Sequence, residues 1–111
     1  IIGHLGEIFP YTMTRMNEKI RGYHSIAPAV NKELPEYYFK HNIWVTTSGD
    51  FCHSALRCAV DILGLDHVLF GTDYPYEYPE AVDQFFDDVC MSKHDLDQIY
   101  FKNAERFFLH P

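Results

Sequence analysis

The sequence predicts an α/β fold in which parallel strands are covered by helices. Strand-like and helix-like segments alternate along the chain, and the strands predicted at 42–47 and 67–71 carry bulky or β-branched residues almost without interruption. Continuous apolar strands of this kind are typical of parallel sheets with helices packed on them. With 47% hydrophobic and 16% aromatic residues, the 111-residue chain also has enough apolar material for a packed core.

The first unit opens with Ile1-Ile2, a β-branched pair that looks like the last half of a strand. Because the sequence starts inside this element, we expect the chain to be part of a larger protein. Pro10 suits the first turn of a helix, so we predict a helix over Tyr11–Ile20 that ends at Gly22.

The second unit begins with a predicted loop at 23–33, which contains Pro28, and a short helix over Leu34–Lys40. The strand at 42–47 follows and stops at Ser48-Gly49. The next helix has its apolar residues at helical spacing, and Gly64 is placed to end it. The inward face of that helix is predicted to consist of Leu56, Ala59, Val60 and Leu63.

The third unit consists of the strand at 67–71 and a helix that Pro79 opens. Another helix is predicted to start at Ser92, because Asp95 stands where a capping partner is needed. A short terminal turn over Asn103–Leu109 closes the chain. The three units together predict parallel strands, each followed by a helix.

Composition excludes several classes of protein. The formal net charge is −7, from 16 acidic and 9 basic residues, and no basic cluster is visible, so we expect neither a nucleic-acid nor a membrane partner. No stretch is long and apolar enough for a transmembrane helix. Three cysteines cannot all pair within the chain, which favours free thiols and a cytoplasmic location. These are Cys52, Cys58 and Cys90.

In folds with parallel strands the chemistry gathers where the strands end. This rule singles out residues 4–7, 47–50 and 72–75. Asp73 follows an apolar strand directly, and its carboxylate suits metal binding, proton transfer, or the capping of a turn. We therefore treat Asp73 as a candidate site residue.

A second candidate is the histidine of Gly3-His4-Leu5-Gly6-Glu7. The flanking glycines let the backbone turn sharply, and Glu7 is placed to accept a ring N–H of His4 and fix its tautomer. The alternative for His4 is a core histidine that bonds a backbone carbonyl.

Arg15 lies eleven residues beyond His4, within reach of the same rim if the helix starts after Pro10. It would either clamp a carboxylate or pair with a surface glutamate.

Five segments carry a resemblance to a known family: Gly3–Glu7, Arg15, Thr46–Phe51, Phe70–Pro75 and Asn103–Phe108. They look like the C-terminal part of the amidohydrolase-2 family. The similar branch includes the aminocarboxymuconate-semialdehyde, γ-resorcylate and 2,3-dihydroxybenzoate decarboxylases. The resemblance covers the whole chain, and it is more specific for the family than for a substrate.

The resemblance implies a (β/α)8 barrel with one divalent metal ion, zinc or manganese, at its mouth. Residues 1–111 would form its last three βα units, the C-terminal portion of a single barrel domain. By the same resemblance His4 is catalytic, Glu7 supports it, Asp73 is both metal ligand and proton carrier, and Arg15 holds the substrate carboxylate. The family's other metal ligands come from its first and fifth strands, outside this chain, so the isolated 111 residues are expected to be inactive.

Three functions remain open at this point. The first is a metal-dependent decarboxylase of a small aromatic or unsaturated carboxylic acid, in which the ion spreads negative charge as a Lewis acid. The second is a hydrolase of a lactone or other cyclic ester, which would use the same residues to activate water. The third is a non-catalytic fragment or association module. Three parallel strands would leave an open edge, so we also expect self-association, most simply as a homo-oligomer.

Overall fold

The computed structural model describes residues 1–24 and 31–109; Pro28 and His110 therefore lie outside the described residues. Within these ranges no helix combines the length and the apolar composition needed to cross a lipid bilayer. Tight single turns lie at His4–Gly6 and Leu65–His67, and a wider π-helical segment occupies Gln98–Lys102. The helices are α1 (Phe9–His24), α2 (Pro35–Asn42), α3 (His53–Leu63), α4 (Pro79–Asp88), α5 (Lys93–Asp97) and α6 (Asn103–Leu109).

Three short extended segments lie side by side and parallel. Strand β1 (Val45–Thr46) pairs with β2 (Val68–Leu69), with Val45 opposite Val68 and Thr46 opposite Leu69. On the other side of β1, Ile2 forms a parallel bridge with Val45. The Ile2 amide donates to Trp44 O at 2.8 Å, and the Thr46 amide donates to Ile2 O at 2.9 Å. The predicted parallel arrangement is confirmed.

The strands are shorter than predicted. The segment 42–47 contributes only Val45–Thr46, because α2 extends through Asn42. The segment 67–71 contributes only Val68–Leu69, because the Phe70 amide donates to Ile99 O at 3.0 Å instead of to a neighbouring strand. A strand ends where its amides find other partners, and hydrophobic pattern alone does not reveal those partners.

The first helix is longer than predicted at both ends. It begins at Phe9, which leaves Pro10 in the first turn, where its missing N–H costs nothing. It continues through Gly22 to His24, so Gly22 does not end it. A glycine inside a helix weakens the helix by about 1 kcal/mol but does not by itself stop it. The predicted end at Gly22 was therefore wrong.

Other boundaries agree with the sequence. Gly64 follows α3 with φ +101°, and its amide donates to Val60 O at 2.9 Å. Pro79 opens α4, and the Ser92 hydroxyl accepts the Asp95 amide at 3.1 Å at the start of α5. The predicted terminal turn is instead the helix α6, which the π-helical segment joins to α5.

The core lies between the strands and the inward faces of α3 and α4. Val45 and Val68 are almost completely buried, and Leu56 and Phe85 cover them from the two helices. Burial of such side chains contributes about 1.5–3 kcal/mol each, so this cluster holds the short strands in register. The buried apolar members of the cluster are Leu5, Val45, Leu56, Ala59, Leu63, Val68, Val82, Phe85, Phe86 and Ile99.

Helices α1 and α2 are joined by hydrogen bonds of one buried asparagine. Asn17 Nδ2 donates to Glu36 Oε2 at 2.8 Å, and the Glu36 amide donates to Asn17 Oδ1 at 3.2 Å. The Lys40 ammonium donates to the other carboxylate oxygen at 2.6 Å and holds the pKa of Glu36 below its ordinary value. The contact fixes α1, which carries Arg15, against the next helix.

A second buried asparagine fastens the C-terminal helix below β2. Asn103 Nδ2 donates to Leu65 O and to Val68 O, both at 2.8 Å, and its Oδ1 accepts from Arg106 Nη2 at 2.8 Å. The side chain therefore uses both of its donors and its acceptor while fully buried. Its loss would leave two backbone carbonyls without these partners.

We predict that Asn103→Ala lowers the free energy of unfolding of the full-length protein by about 1–3 kcal/mol, because buried carbonyls lose their donors. Urea denaturation followed by circular dichroism measures the change. Lys93→Ala is the control, since it removes only an exposed 3.0 Å ion pair with Asp97 and should cost about 0–1 kcal/mol. Equal losses in the two variants would contradict this role for Asn103.

Candidate active site

The three places singled out in the sequence emerge at one edge of the sheet. Residues 3–7 follow Ile2, residues 47–50 follow β1, and residues 70–75 follow β2. Since the three extended segments are parallel and adjacent, the loops after them lie next to one another. The His4 amide donates to Ser48 O at 3.1 Å, which ties the first loop to the second.

His4 and Glu7 form a hydrogen-bonded pair. His4 Nδ1 donates to Glu7 Oε1 at 2.9 Å, across the tight turn His4–Gly6. A carboxylate oxygen only accepts, so this contact keeps the hydrogen on Nδ1 and leaves Nε2 as the reactive ring nitrogen. The arrangement predicted from the three-residue spacing is present.

The turn that carries His4 adopts an uncommon backbone conformation. His4, Leu5 and Glu7 have φ values of 50°, 52° and 55°, in the left-handed region that residues other than glycine rarely adopt. Each such residue costs on the order of 1–3 kcal/mol. Burial of the Leu5 side chain beneath the turn offsets part of that cost and fixes the turn against the core.

His4 faces Asp73 from the neighbouring loop. His4 Nε2 lies 3.8 Å from Asp73 Oδ2, and the two side chains are 44% and 33% exposed. Neither atom has a hydrogen-bond partner among the described residues, although both are accessible to a small molecule. Asp73 also has a left-handed φ of 64°, and its carbonyl accepts the Tyr76 amide at 2.8 Å. The two candidate groups, His4 and Asp73, therefore lie side by side at this edge.

A buried hydroxyl joins the loops that follow β1 and β2. Thr47 Oγ1 donates to Gly71 O at 2.8 Å and accepts from the Gly71 amide at 3.1 Å. Thr47 is completely buried, and its own amide donates to Leu69 O at 3.0 Å. These contacts fix the start of the loop that leads to Asp73.

Arg15 is not bonded to the His4–Asp73 pair. It is exposed on the second turn of α1 and lines a groove of about 300 Å³, and it makes no hydrogen bond or ion pair with any described residue. No hydrogen bond or ion pair joins it to His4, Glu7 or Asp73. The groove is otherwise lined by Thr12, Met16, Lys19, Ile20, Tyr23 and Pro35.

The donors at this edge fit part of a divalent-metal site. The Asp73 carboxylate and the His4 imidazole are ligand types that manganese and zinc accept. Across residues 1–24 and 31–109, however, no group of three or more His, Cys, Asp or Glu side chains is arranged to hold an ion. Asp73 therefore fits as one ligand of an ion whose other ligands come from outside this group.

Two residues that shape this edge, Thr47 and Gly49, were not identified individually from the sequence. Both residues lie in the 47–50 segment that the strand-end rule singles out, where Asp50 is the ionisable residue. Asp50 makes no side-chain hydrogen bond or ion pair with His4 or Asp73. A hydroxyl and a missing side chain act through geometry, which a survey of ionisable residues does not detect.

Comparison with known proteins identifies the family of this chain. The model of one family, described as amidohydrolase, matches residues 1–109. The chain belongs to the amidohydrolase family. A γ-resorcylate decarboxylase from Polaromonas sp. strain JS666 is 32% identical over 108 residues, which cover 97% of this chain and 33% of the relative. The chain thus spans about one third of the length of the curated relatives it matches.

Solved structures of this family contain the same arrangement of helices and strands. The Polaromonas dihydroxybenzoic acid decarboxylase, with bound manganese and the inhibitor 2-nitroresorcinol, superposes with a TM-score of 0.87 at 32% identity over 96% of this chain and 32% of the other. The 5-carboxyvanillate decarboxylase from Sphingomonas paucimobilis gives 0.87 at 30% identity, with the same coverage. The predicted family and α/β barrel fold are confirmed.

We predict that Thr47→Val destabilises the full-length protein by about 1–3 kcal/mol, since it leaves the amide and the carbonyl of Gly71 without their shared partner. Valine has nearly the same shape, so packing is little changed. Thr47→Ser keeps the hydroxyl and is the control, with a smaller loss expected. Thermal and urea unfolding measure both; equal stability of the valine variant and the natural protein would disprove the role of the hydroxyl.

Proposed function

We propose that the protein containing this chain is a metal-dependent decarboxylase of an aromatic carboxylic acid. The observation that supports this is the open contact between His4 Nε2 and Asp73 Oδ2, 3.8 Å apart at the carboxyl edge of parallel strands. The imidazole Nε2 and the carboxylate lie side by side, and neither makes another hydrogen bond to a described residue, so the two groups suit proton transfer to and from a bound molecule. The three similar proteins named above are a γ-resorcylate, a dihydroxybenzoic acid and a 5-carboxyvanillate decarboxylase.

Asp73 is proposed as the proton donor to carbon. In decarboxylation the bond between the ring carbon and the carboxylate breaks, carbon dioxide leaves, and the electron pair remains on the ring carbon. A proton must then form the new C–H bond; the proposal is that Asp73 gives it from its protonated carboxyl group and is left as the carboxylate. Its left-handed backbone, held by the Tyr76 amide, keeps the carboxyl group directed toward His4.

His4 and Glu7 are proposed to act as a unit. Glu7 holds the imidazole by its Nδ1–H, so that Nε2 is available to exchange a proton with the substrate or with Asp73. The unusual backbone of the turn gives this pair a fixed direction. Removal of Glu7 would therefore loosen the ring without removing the group that reacts.

Arg15 is proposed to bind the substrate carboxylate. Its guanidinium is exposed and has no partner among the described residues, so it is available for a two-pronged contact with an anion. Arg15 stands on α1, the helix that directly follows the His4–Glu7 turn. The same helix places the cation Lys19 one turn further on.

Asp73 is proposed as one ligand of a divalent ion, manganese by analogy with the related structures and zinc as the alternative. Such an ion would supply Lewis-acid stabilisation of negative charge on the substrate oxygens. The remaining ligands would come from outside this chain, and the isolated 111 residues should not turn over substrate. A homo-oligomer and a cytoplasmic location stay predictions from the sequence.

We predict that Asp73→Asn lowers the turnover of the full-length protein by at least ~10²–10⁴-fold, because an amide cannot deliver the proton and is a weaker ligand. Carbon dioxide release from 2,6-dihydroxybenzoate measures turnover, and elemental analysis measures bound metal. Asp50→Asn, at the same edge but without a side-chain hydrogen bond or ion pair to His4 or Asp73, is the control and should remain active.

Three outcomes would overturn the role of Asp73 or the decarboxylase proposal. Near-normal turnover by Asp73→Asn with metal bound would remove Asp73 from the chemistry. Ring opening of a lactone panel without carbon dioxide release would leave Asp73 in place and identify a hydrolase instead. If the full-length protein binds metal but acts on neither class of compound, the decarboxylase proposal fails in favour of an association module.

We predict that Arg15→Ala mainly raises KM for a carboxylate substrate and changes kcat little, because the guanidinium contacts the substrate before and during the reaction. Lys19→Ala is a matched control, since it removes a cation from the same groove. Steady-state kinetics distinguish the two variants. An equal rise in KM for both would indicate only a general effect of positive charge, and an unchanged KM would exclude Arg15 from substrate binding.

A further inference from the structure

Gly49 lies directly against both members of the proposed catalytic pair. A Cβ atom built on Gly49 would lie 2.6 Å from His4 Nε2 and 3.0 Å from Asp73 Oδ2, and closer still to His4 Cδ2. Real Cβ atoms essentially never approach another atom within 3.0 Å, so a side chain at this position would displace the imidazole and crowd the carboxylate. The missing side chain is therefore what leaves room for the two groups to approach.

The backbone around Gly49 cannot move away to make that room. The Asp50 amide donates to Thr47 O at 3.3 Å and closes the turn, while Ser48 O accepts the His4 amide at 3.1 Å. Thr47 is fixed to Gly71, on the chain that leads to Asp73. The turn 47–50 is thus hydrogen-bonded both to the loop that carries His4 and to the chain that leads to Asp73. Gly49 itself has φ +70°, which glycine adopts without strain.

The neighbours of Gly49 distinguish it from the other glycines with positive φ. At Gly6 the added Cβ would meet Val45 and Pro10, which are packing contacts. At Gly64, φ +101°, it would meet Asp66 Oδ1 at 2.7 Å, on the far end of α3. At Gly49 the neighbours are two partly exposed polar side chains, His4 and Asp73. Burial of apolar surface therefore does not explain why the backbone of Gly49 lies so close to them.

We propose that Gly49 is a positioning residue that sets the separation of His4 Nε2 and Asp73 Oδ2. This inference rests on the proposed function, in which those two groups exchange protons with the substrate. A methyl group at position 49 pushes the ring from the carboxylate, and a misplacement of about 1 Å in a catalytic group can cost about 10²-fold in rate. The effect should appear in kcat rather than in KM, because Arg15 on α1 is untouched.

The test compares Gly49→Ala with Gly64→Ala in the full-length protein. Both substitutions place a methyl group at positive φ and against a nearby side chain, which is His4 for Gly49→Ala and Asp66 for Gly64→Ala, so only the first of the two variants disturbs the proposed pair. We expect kcat to fall at least ~10²-fold in Gly49→Ala, with KM close to that of the natural protein. Gly64→Ala should keep kcat. In ¹⁵N NMR spectra, the His4 ring signals should shift in Gly49→Ala and not in Gly64→Ala.

A double-mutant cycle with His4→Ala tests the contact independently of activity. Removing the imidazole vacates the space that the new methyl group needs, so Gly49→Ala should cost less stability in the His4→Ala background than alone. It should also cause little further loss of kcat there. Additive effects on stability, or equal kcat for Gly49→Ala and Gly64→Ala while His4→Ala is impaired, would overturn the proposal for Gly49.

The outcomes separate this inference from the function on which it rests. If neither His4→Ala nor Asp73→Asn impairs turnover, the proposed function fails, whatever the stability cycle shows. If both impair turnover and Gly49→Ala does not, the proposed function stands and the positioning role fails. Coupling in both stability and kcat supports the two together.

Discussion

The parallel alignment of Ile2, β1 and β2 determines the rest of the arrangement. Only two residue pairs join β1 to β2, and one bridge joins Ile2 to β1. This pairing nevertheless brings the three loops that follow these segments to one edge and places His4 beside Asp73. Such short strands contribute few hydrogen bonds of their own. The register is held mainly by the buried cluster around Val45 and Val68, which α3 and α4 cover. Core packing and the geometry of the candidate site are therefore coupled through two residue pairs.

Unfavourable backbone conformations concentrate at that edge. All four non-glycine residues with positive φ among the described residues belong to the two loops that carry the proposed catalytic groups, and they are His4, Leu5, Glu7 and Asp73. Strain of this kind persists only where the surroundings determine the conformation. Here the buried Leu5 side chain and the Thr47 hydroxyl are the contacts that do so. The core therefore supports conformations that the loops would not adopt by themselves.

The sequence predicted the structure correctly where one residue type has a single dominant structural role. The positions of Asp73 and His4 after apolar segments located the edge, and Gly64 and Ser92 marked helix boundaries that the structure contains. Prediction failed where a partner distant in sequence decides the outcome. The end of β2 depends on a bond from Phe70 to Ile99, and the extension of α1 past Gly22 outweighs a weak local preference. The importance of Gly49 depends on two side chains contributed by other loops, which no local pattern contains.

The loop beyond Asp73 presents Tyr74, Tyr76 and Tyr78, which are 78%, 82% and 78% exposed. These rings contribute little to the core, whereas Thr47, one loop away, is completely buried. Substitutions in the tyrosine segment should therefore leave the strand register and the separation of His4 and Asp73 nearly unchanged. The chain thus places a tolerant, exposed rim within a few residues of a tightly bonded turn.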